Sequence, residues 1–297
     1  MIDVVLKVAT LPERGGDILA SEQLITTGGG FNIMSAVARH GVAVTYAGRP
    51  GTGVFSDIAR GSLQSEDIDA PISPLEGREM GSCIVLVDDE GERTFITTKG
   101  AELELRRCDL DDLDVRAGDY VYVSGYNIVY REIATTVSRW VASLPAGVVV
   151  AFDPGARVLD IPKDLLDTVL SRTDWLLCNA REARQMTGED SLDVVVDSLR
   201  TRTGSRGVIV RDGSRGCVVS TKGTGTVRCG GYVVDVVDTN GAGDVHNGVF
   251  LAELARATSV VDSARRANAA AAISIGSLGP ATCPTRAEVT RWLDTSG

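Results

Sequence analysis

The sequence predicts an α/β protein: a mostly parallel central sheet with helices on both faces and a small antiparallel β-layer beside it. Three observations lead there. Short β-branched runs at residues 120–124, 148–152, 175–178 and 208–211 read as buried strands. Amphipathic patterns at 130–143, 163–171 and 191–202 fall between them, and strand–helix alternation of this kind builds a parallel sheet covered on both sides. Residues 80–98 break the pattern, because 82–87, a turn at Asp88-Asp89-Glu90-Gly91, and 93–96 read as an antiparallel hairpin.

The remaining elements follow in chain order. Gly28-Gly29-Gly30 is a glycine turn before a helix over 33–40 that stops at Gly41. A second hairpin is expected at 216–220 and 226–229, then a strand at 232–237 that runs into Asp238-Thr239-Asn240-Gly241-Ala242-Gly243-Asp244 and a helix over 245–256. The long uncharged stretch 267–285 starts with alanines and ends among Gly279 and Pro284, so it reads as a tightly packed helix and a loop, not a membrane span. No repeat, low-complexity tract or linker appears, and residues 1–297 read as a single domain with its β-layer drawn from about 8–27 and 78–99.

Composition narrows the function. The 297 residues carry 30 basic and 40 acidic side chains, a net charge of −10, with no basic cluster of the kind that nucleic acid or an anionic membrane would need. Six cysteines without a C-x-x-C pair, and only His40 and His246, argue against a zinc site or disulfide framework and suit a reducing, cytoplasmic setting. Lys7, Glu13, Arg14 and Asp17 interrupt any apolar signal-peptide core. Glycine is abundant at 33 residues, which points to backbone approached closely by a ligand or by other backbone.

Residues 238–244 carry the chemistry. A β-branched run ends, Gly-Ala-Gly turns, and Asp244 stands at a helix start, where several backbone N–H groups converge into an anion site that needs no lysine. A carboxylate there can take a proton from an attacking hydroxyl while the amides hold developing charge; the same carboxylate would also complement a helix dipole. Neither a Walker A sequence nor a strand-linked G-x-G-x-x-G occurs, so a phosphate would be held differently.

This seven-residue pattern resembles the C-terminal signature of the PfkB (ribokinase-like) carbohydrate kinases, and the resemblance covers nearly the whole chain. It implies a three-layer α/β/α ribokinase-like fold with a β lid. It also implies an ATP-dependent kinase phosphorylating a primary hydroxyl of a small sugar, with Mg²⁺ and a monovalent cation such as K⁺ as cofactors and a homodimer formed through the lid. A nucleoside kinase of the same fold, with Phe31, Phe95 or Tyr126 against the base, and a non-catalytic metabolite-binding protein are the alternatives.

By the same resemblance Asp244 is the base, with Gly241, Ala242 and Gly243 forming the anion hole. Gly28, Gly29, Gly30 and Asn32 resemble the N-terminal signature that touches the sugar; alone they also read as a turn capped by Asn32. Asp3 matches the first sugar-binding aspartate. The family has a full strand before that aspartate, so a native chain longer by about one strand, ~5–8 residues, is expected. Asn179-Ala180-Arg181-Glu182 matches N-x-x-E, with Asn179 on the nucleotide side and Glu182 acting through water on Mg²⁺; it is equally a capping box. Arg211, Gly213 and Gly216 match the turn along the nucleotide, Arg211 standing where a small hydroxyl residue is common, and Asn268 matches the helix flanking adenine. Asp238 and Gly279 would form the monovalent-cation site, though Asp238 also reads as a strand-end turn carboxylate. His246 reads as a pocket residue, and the cysteines as small core residues.

Overall fold

The computed structural model describes residues 1–203, 206–279 and 281–296. The chain opens with β1 (Ile2–Lys7) and β2 (Glu22–Thr27), passes through the glycine turn into α1 (Gly30–Arg39) and α2 (Val54–Ser65), and forms the hairpin β3 (Ser82–Val87) and β4 (Arg93–Thr97). A short α3 (Arg107–Asp111) precedes the alternating part: β5 (Tyr120–Ser124), α4 (Tyr126–Val129), α5 (Arg131–Ser143), β6 (Val149–Asp153), α6 (Lys163–Arg172), β7 (Trp175–Asn179), α7 (Ala180–Thr187), α8 (Leu192–Thr203) and β8 (Gly207–Arg211). The hairpin β9 (Cys217–Thr221) and β10 (Gly225–Cys229) is followed by α9 (Ala242–Ala255), α10 (Val260–Ser274) and α11 (Arg286–Ser296).

Among the described residues the strands form two sheets, β10-β9-β8-β7-β6-β5 and β2-β1-β3-β4. In the first, β5 to β8 run parallel and β9 and β10 are antiparallel. Strand alternation sends Val150, Phe152, Leu176 and Val208 into a core with α5, α6 and α8, and sends Val149, Ala151, Leu177 and Ile209 into a core with α9 and α10. Both faces are covered, which gives the three-layer α/β/α arrangement that the resemblance implies.

In the second sheet β1 pairs antiparallel with β2 and parallel with β3, and β3 pairs antiparallel with β4. Two corrections belong here. The small sheet includes Ile2–Lys7, which lies outside the expected 8–27 segment; its backbone bonds go to β2 and β3 and none to the six-stranded sheet. Residues 232–237 form no strand, because Gly230-Gly231 packs against the turn at Ser214 and Gly216 and takes the chain off the sheet edge, leaving Val233, Val236 and Val237 exposed. Their β-branched pattern expresses a preference that has no partner to satisfy it. Two helix starts also move: α1 begins at Gly30, so Asn32 is a helical residue and not a cap, and α9 begins at Ala242, so Asp244 lies inside its first turn.

Candidate active site

Parallel strands bring their carboxyl ends to one rim, and ligands of open α/β sheets bind there. β6, β7 and β8 end at that rim in Asp153, Asn179 and Arg211, three polar side chains following runs of buried apolar ones. The Arg211 guanidinium is buried between carboxylates, 3.2 Å from Asp153 Oδ2 and 3.8 Å from Glu182 Oε2, and it donates to Asn247 Oδ1. Asn247 in turn donates from Nδ2 to Asp153 Oδ2 at 2.6 Å. Burial works against the charge of Arg211, and its two carboxylate neighbours outweigh that.

Asn179 and Glu182 are a capping box in fact: Asn179 Oδ1 accepts the Glu182 N–H at 2.9 Å and Glu182 Oε2 accepts the Asn179 N–H at 2.8 Å. The two readings of N-x-x-E are therefore compatible, because the cap aims Glu182 at the rim. Burial first, and the Asp153 charge second, push the Glu182 carboxyl upward. Its protein donors all use Oε2, which leaves Oε1 free of them among the described residues.

The turn before α9 is the candidate anion site. Gly241 sits in the left-handed region at φ 75°, a conformation that costs glycine little. Gly241 O accepts the Val245 N–H, Ala242 N–H reaches Thr239 O at 3.3 Å, and the N–H groups of Gly243 and Asp244 have no backbone acceptor among the described residues. A Cβ added at Gly243 would lie 3.6 Å from the Arg211 guanidinium, so a fixed cation flanks those free donors.

Asp244 looks from this turn toward α1. Asn32 Nδ2 donates to Asp244 Oδ2 at 2.9 Å, joining residues 212 positions apart, while the buried Asn32 Oδ1 has no partner among the described residues. Burial raises the Asp244 carboxyl to about 6, with Asn32 pulling the other way and Asp153 adding to the rise. Asp3 faces the same space from β1 and is also pushed up by burial. Its carboxylate packs so closely on Gly28 that a Cβ there would collide with Asp3 Oδ2. Gly29 caps α1 at φ 60° and Gly30 is its first residue.

Other expected residues are spent on the protein itself. Asn268 donates to the carbonyls of Cys229 and Gly230 at 3.1 and 3.0 Å and meets His246 Nε2 at 3.1 Å, so it holds the backbone beside β10. Burial pushes the His246 imidazole down to about 3. Gly213 and Gly216 adopt positive φ in the turn after β8, and Gly216 is pressed against Cys229 O and Gly230, so its lack of a side chain serves the turn. Asp238 and Gly279 do meet: Gly279 N–H donates to Asp238 Oδ2 at 3.1 Å. Phe31 is buried against Leu63 and Ile68, whereas Phe95 and Tyr126 stay exposed. The sequence reading missed Asp153, Asn247 and the ion pair that Arg93 makes with Asp238.

With this geometry in place, the comparisons decide the family. The model of the pfkB family carbohydrate kinases matches residues 1–287. The chain belongs to this family. It is an ATP-dependent carbohydrate kinase of the ribokinase type. It is 31% identical over 294 residues to the uncharacterized sugar kinase YegV of Escherichia coli, covering 97% of this chain and 90% of that protein. It is 30% identical over 293 residues to the ATP-dependent ribose-1-phosphate kinase of Halopiger xanaduensis, covering 98% and 94%. The ribokinase structure from Thermotoga maritima superposes with a TM-score of 0.84 at 26% identity, covering 99% of this chain and 96% of that one.

Proposed function

We propose that the kinase phosphorylates a primary hydroxyl of a small sugar held between β1 of the small sheet and the turn before α9. The observation that carries this reading is the Asn32–Asp244 hydrogen bond, which sets a sugar-side amide and a buried carboxylate on one point. Asn32 Oδ1 and the Asp3 carboxylate are acceptors for substrate hydroxyls, and Gly28 to Gly30 let the substrate approach the backbone. Asp244 takes the proton of the attacking hydroxyl. The Gly243 and Asp244 amides, flanked by Arg211, hold the charge that grows on the transferred group, with the Ala242 N–H close by. Positioning and electrostatics do most of the work.

Mg²⁺ fits the rim, since this ion keeps several waters and needs only one or two carboxylates besides the phosphates. Glu182, through its free Oε1, would hold it through water, and the ion would neutralise phosphate charge. Asn179 and the Arg211–Gly216 turn border the nucleotide side.

Strand alternation puts Asp3, Phe95 and Thr97 on one face of the small sheet, which serves as a lid that excludes water. Its other face carries Ile25, Ile84 and Ile96, with Ile25 and Ile96 exposed; these residues support a homodimer through the lid. Among the described residues no helix is long and apolar enough to cross a membrane, and the free cysteines fit a cytoplasmic setting.

The test is ADP release over a panel of pentoses, hexoses and nucleosides, with and without Mg²⁺, followed by phosphorus NMR of the product. A Mg²⁺-dependent sugar phosphate esterified at a primary carbon is expected. Turnover of nucleosides alone would replace the sugar reading with its nucleoside counterpart. Light scattering checks the dimer.

A further inference from the structure

The resemblance placed a monovalent cation at Asp238 and Gly279, and the groups found there do not suit one. A hard cation takes oxygen lone pairs that protein donors have left free. Asp238 Oδ2 accepts the Gly279 N–H at 3.1 Å, and Oδ1 accepts both the Asn240 N–H at 2.8 Å and the Arg93 guanidinium. Among the described residues, three nearby carbonyls also meet protein donors. Ile275 O accepts the N–H groups of Val237 and Asp238 at 2.8 and 3.1 Å. The Thr282 hydroxyl lies 3.0 Å from Ser274 O and 3.3 Å from Gly279 O.

Arg93 reaches this corner from outside it. It is the first residue of β4, 145 positions from Asp238, and it shares the site-facing side of the small sheet with Phe95 and Thr97. A second lid residue lands on the same corner, since Leu24 Cδ2 of β2 would be 3.8 Å from a Cβ at Gly279. The guanidinium is mostly covered, with 27% of the side chain exposed against 10% for Asp238. Charge and donor geometry agree: one delocalised cation meets one carboxylate already holding two amides.

We propose that Arg93, carried by the lid, takes the place of the monovalent cation at the Asp238–Gly279 corner, so the protein has no potassium site there. Arg93 is a positioning residue. It neutralises Asp238 and steadies the turn that leads to Gly241, and it does so only while the lid sits on the body. The proposal rests on the kinase reading for its rate measurement alone.

The experiment compares thermal unfolding of the wild type, R93M and R93M/D238N in potassium chloride and in tetramethylammonium chloride at equal ionic strength. The wild type is expected to unfold at the same temperature in both salts, R93M to be stabilised by K⁺ selectively, and R93M/D238N to lose that selectivity. A wild type stabilised by K⁺ in a way that D238N removes would overturn the proposal, as would an R93M indifferent to the salt. Should R93M not fold, thallium(I) soaked into wild-type crystals decides: no anomalous peak at the corner supports the replacement and a peak refutes it. With a sugar selected by the panel, R93M should lose about tenfold in kcat in tetramethylammonium and recover in K⁺, while the wild type turns over equally in both. Absence of turnover with every sugar would count against the kinase reading and leave the salt-dependent unfolding intact as a measurement.

Discussion

The two walls of the active site are built to different standards. On the body side Asp153 and Arg211 end strands, Glu182 lies in the first turn of α7 and Asn247 in the second turn of α9, and each is tied to at least one other. On the lid side Asp3, Arg93 and Phe95 stand on a four-stranded sheet that meets α2 through Ile2, Val4 and Thr27. In the proposed reading the transfer machinery thus inherits rigidity from the main core, whereas the sugar contacts stand on a thinner element. Such a division lets one reaction serve many substrates, because specificity changes where packing costs least.

Breaking the body wall should have the largest effect. Asp244→Asn keeps the shape and removes the proposed base, so kcat should fall about 10²- to 10⁴-fold with sugar binding retained, measured by steady-state kinetics and calorimetry. In the proposed mechanism Asp244 works ionised, and burial has raised its carboxyl to about 6. The wild-type rate should therefore drop as pH falls through that value, and D244N should lack this limb. Next, Asp153→Ala strands the buried Arg211 with Glu182 alone, and thermal unfolding should show a loss of about 3 kcal/mol.

Lid changes should separate binding from stability. Gly28→Ala drives a methyl into Asp3, so KM for the sugar should rise about tenfold with kcat less affected. Phe95→Ala should alter the ranking of sugars in the panel while stability stays within about 0.5 kcal/mol. A Phe95→Ala variant that unfolds would show the lid to be part of the main cooperative unit and would erase the contrast.

The same division explains what could be read from the chain. Gly241, Gly243 and Asp244 were legible because a turn and a helix start are local, and the resemblance added their roles. The sheet was legible because residues such as Val150 and Leu177 repeat one local pattern. Asp153 carried a weak signal, a carboxylate closing a buried strand before Pro154-Gly155, which strand-end logic could have found. Asn247 and Arg93 gave none, since their partners lie 94 and 145 positions away. Residues 232–237 misled because β-branched propensity is silent about whether an edge is free to pair.

Gly248 lies well inside α9, away from every proposed ligand. A Cβ placed there would come within 2.6 Å of Ala36 Cβ and 2.7 Å of Ile33 O, so α1 and α9 touch backbone to backbone at this point. Asn32 is one turn up the first helix and Asp244 one turn up the second. If Asn32 and Asp244 act as proposed, the crossing works as a gauge block for the reaction: helix separation at one hydrogen-sized side chain sets how far the base stands from the substrate, and Gly248→Ala would lengthen that gap without touching either reacting group.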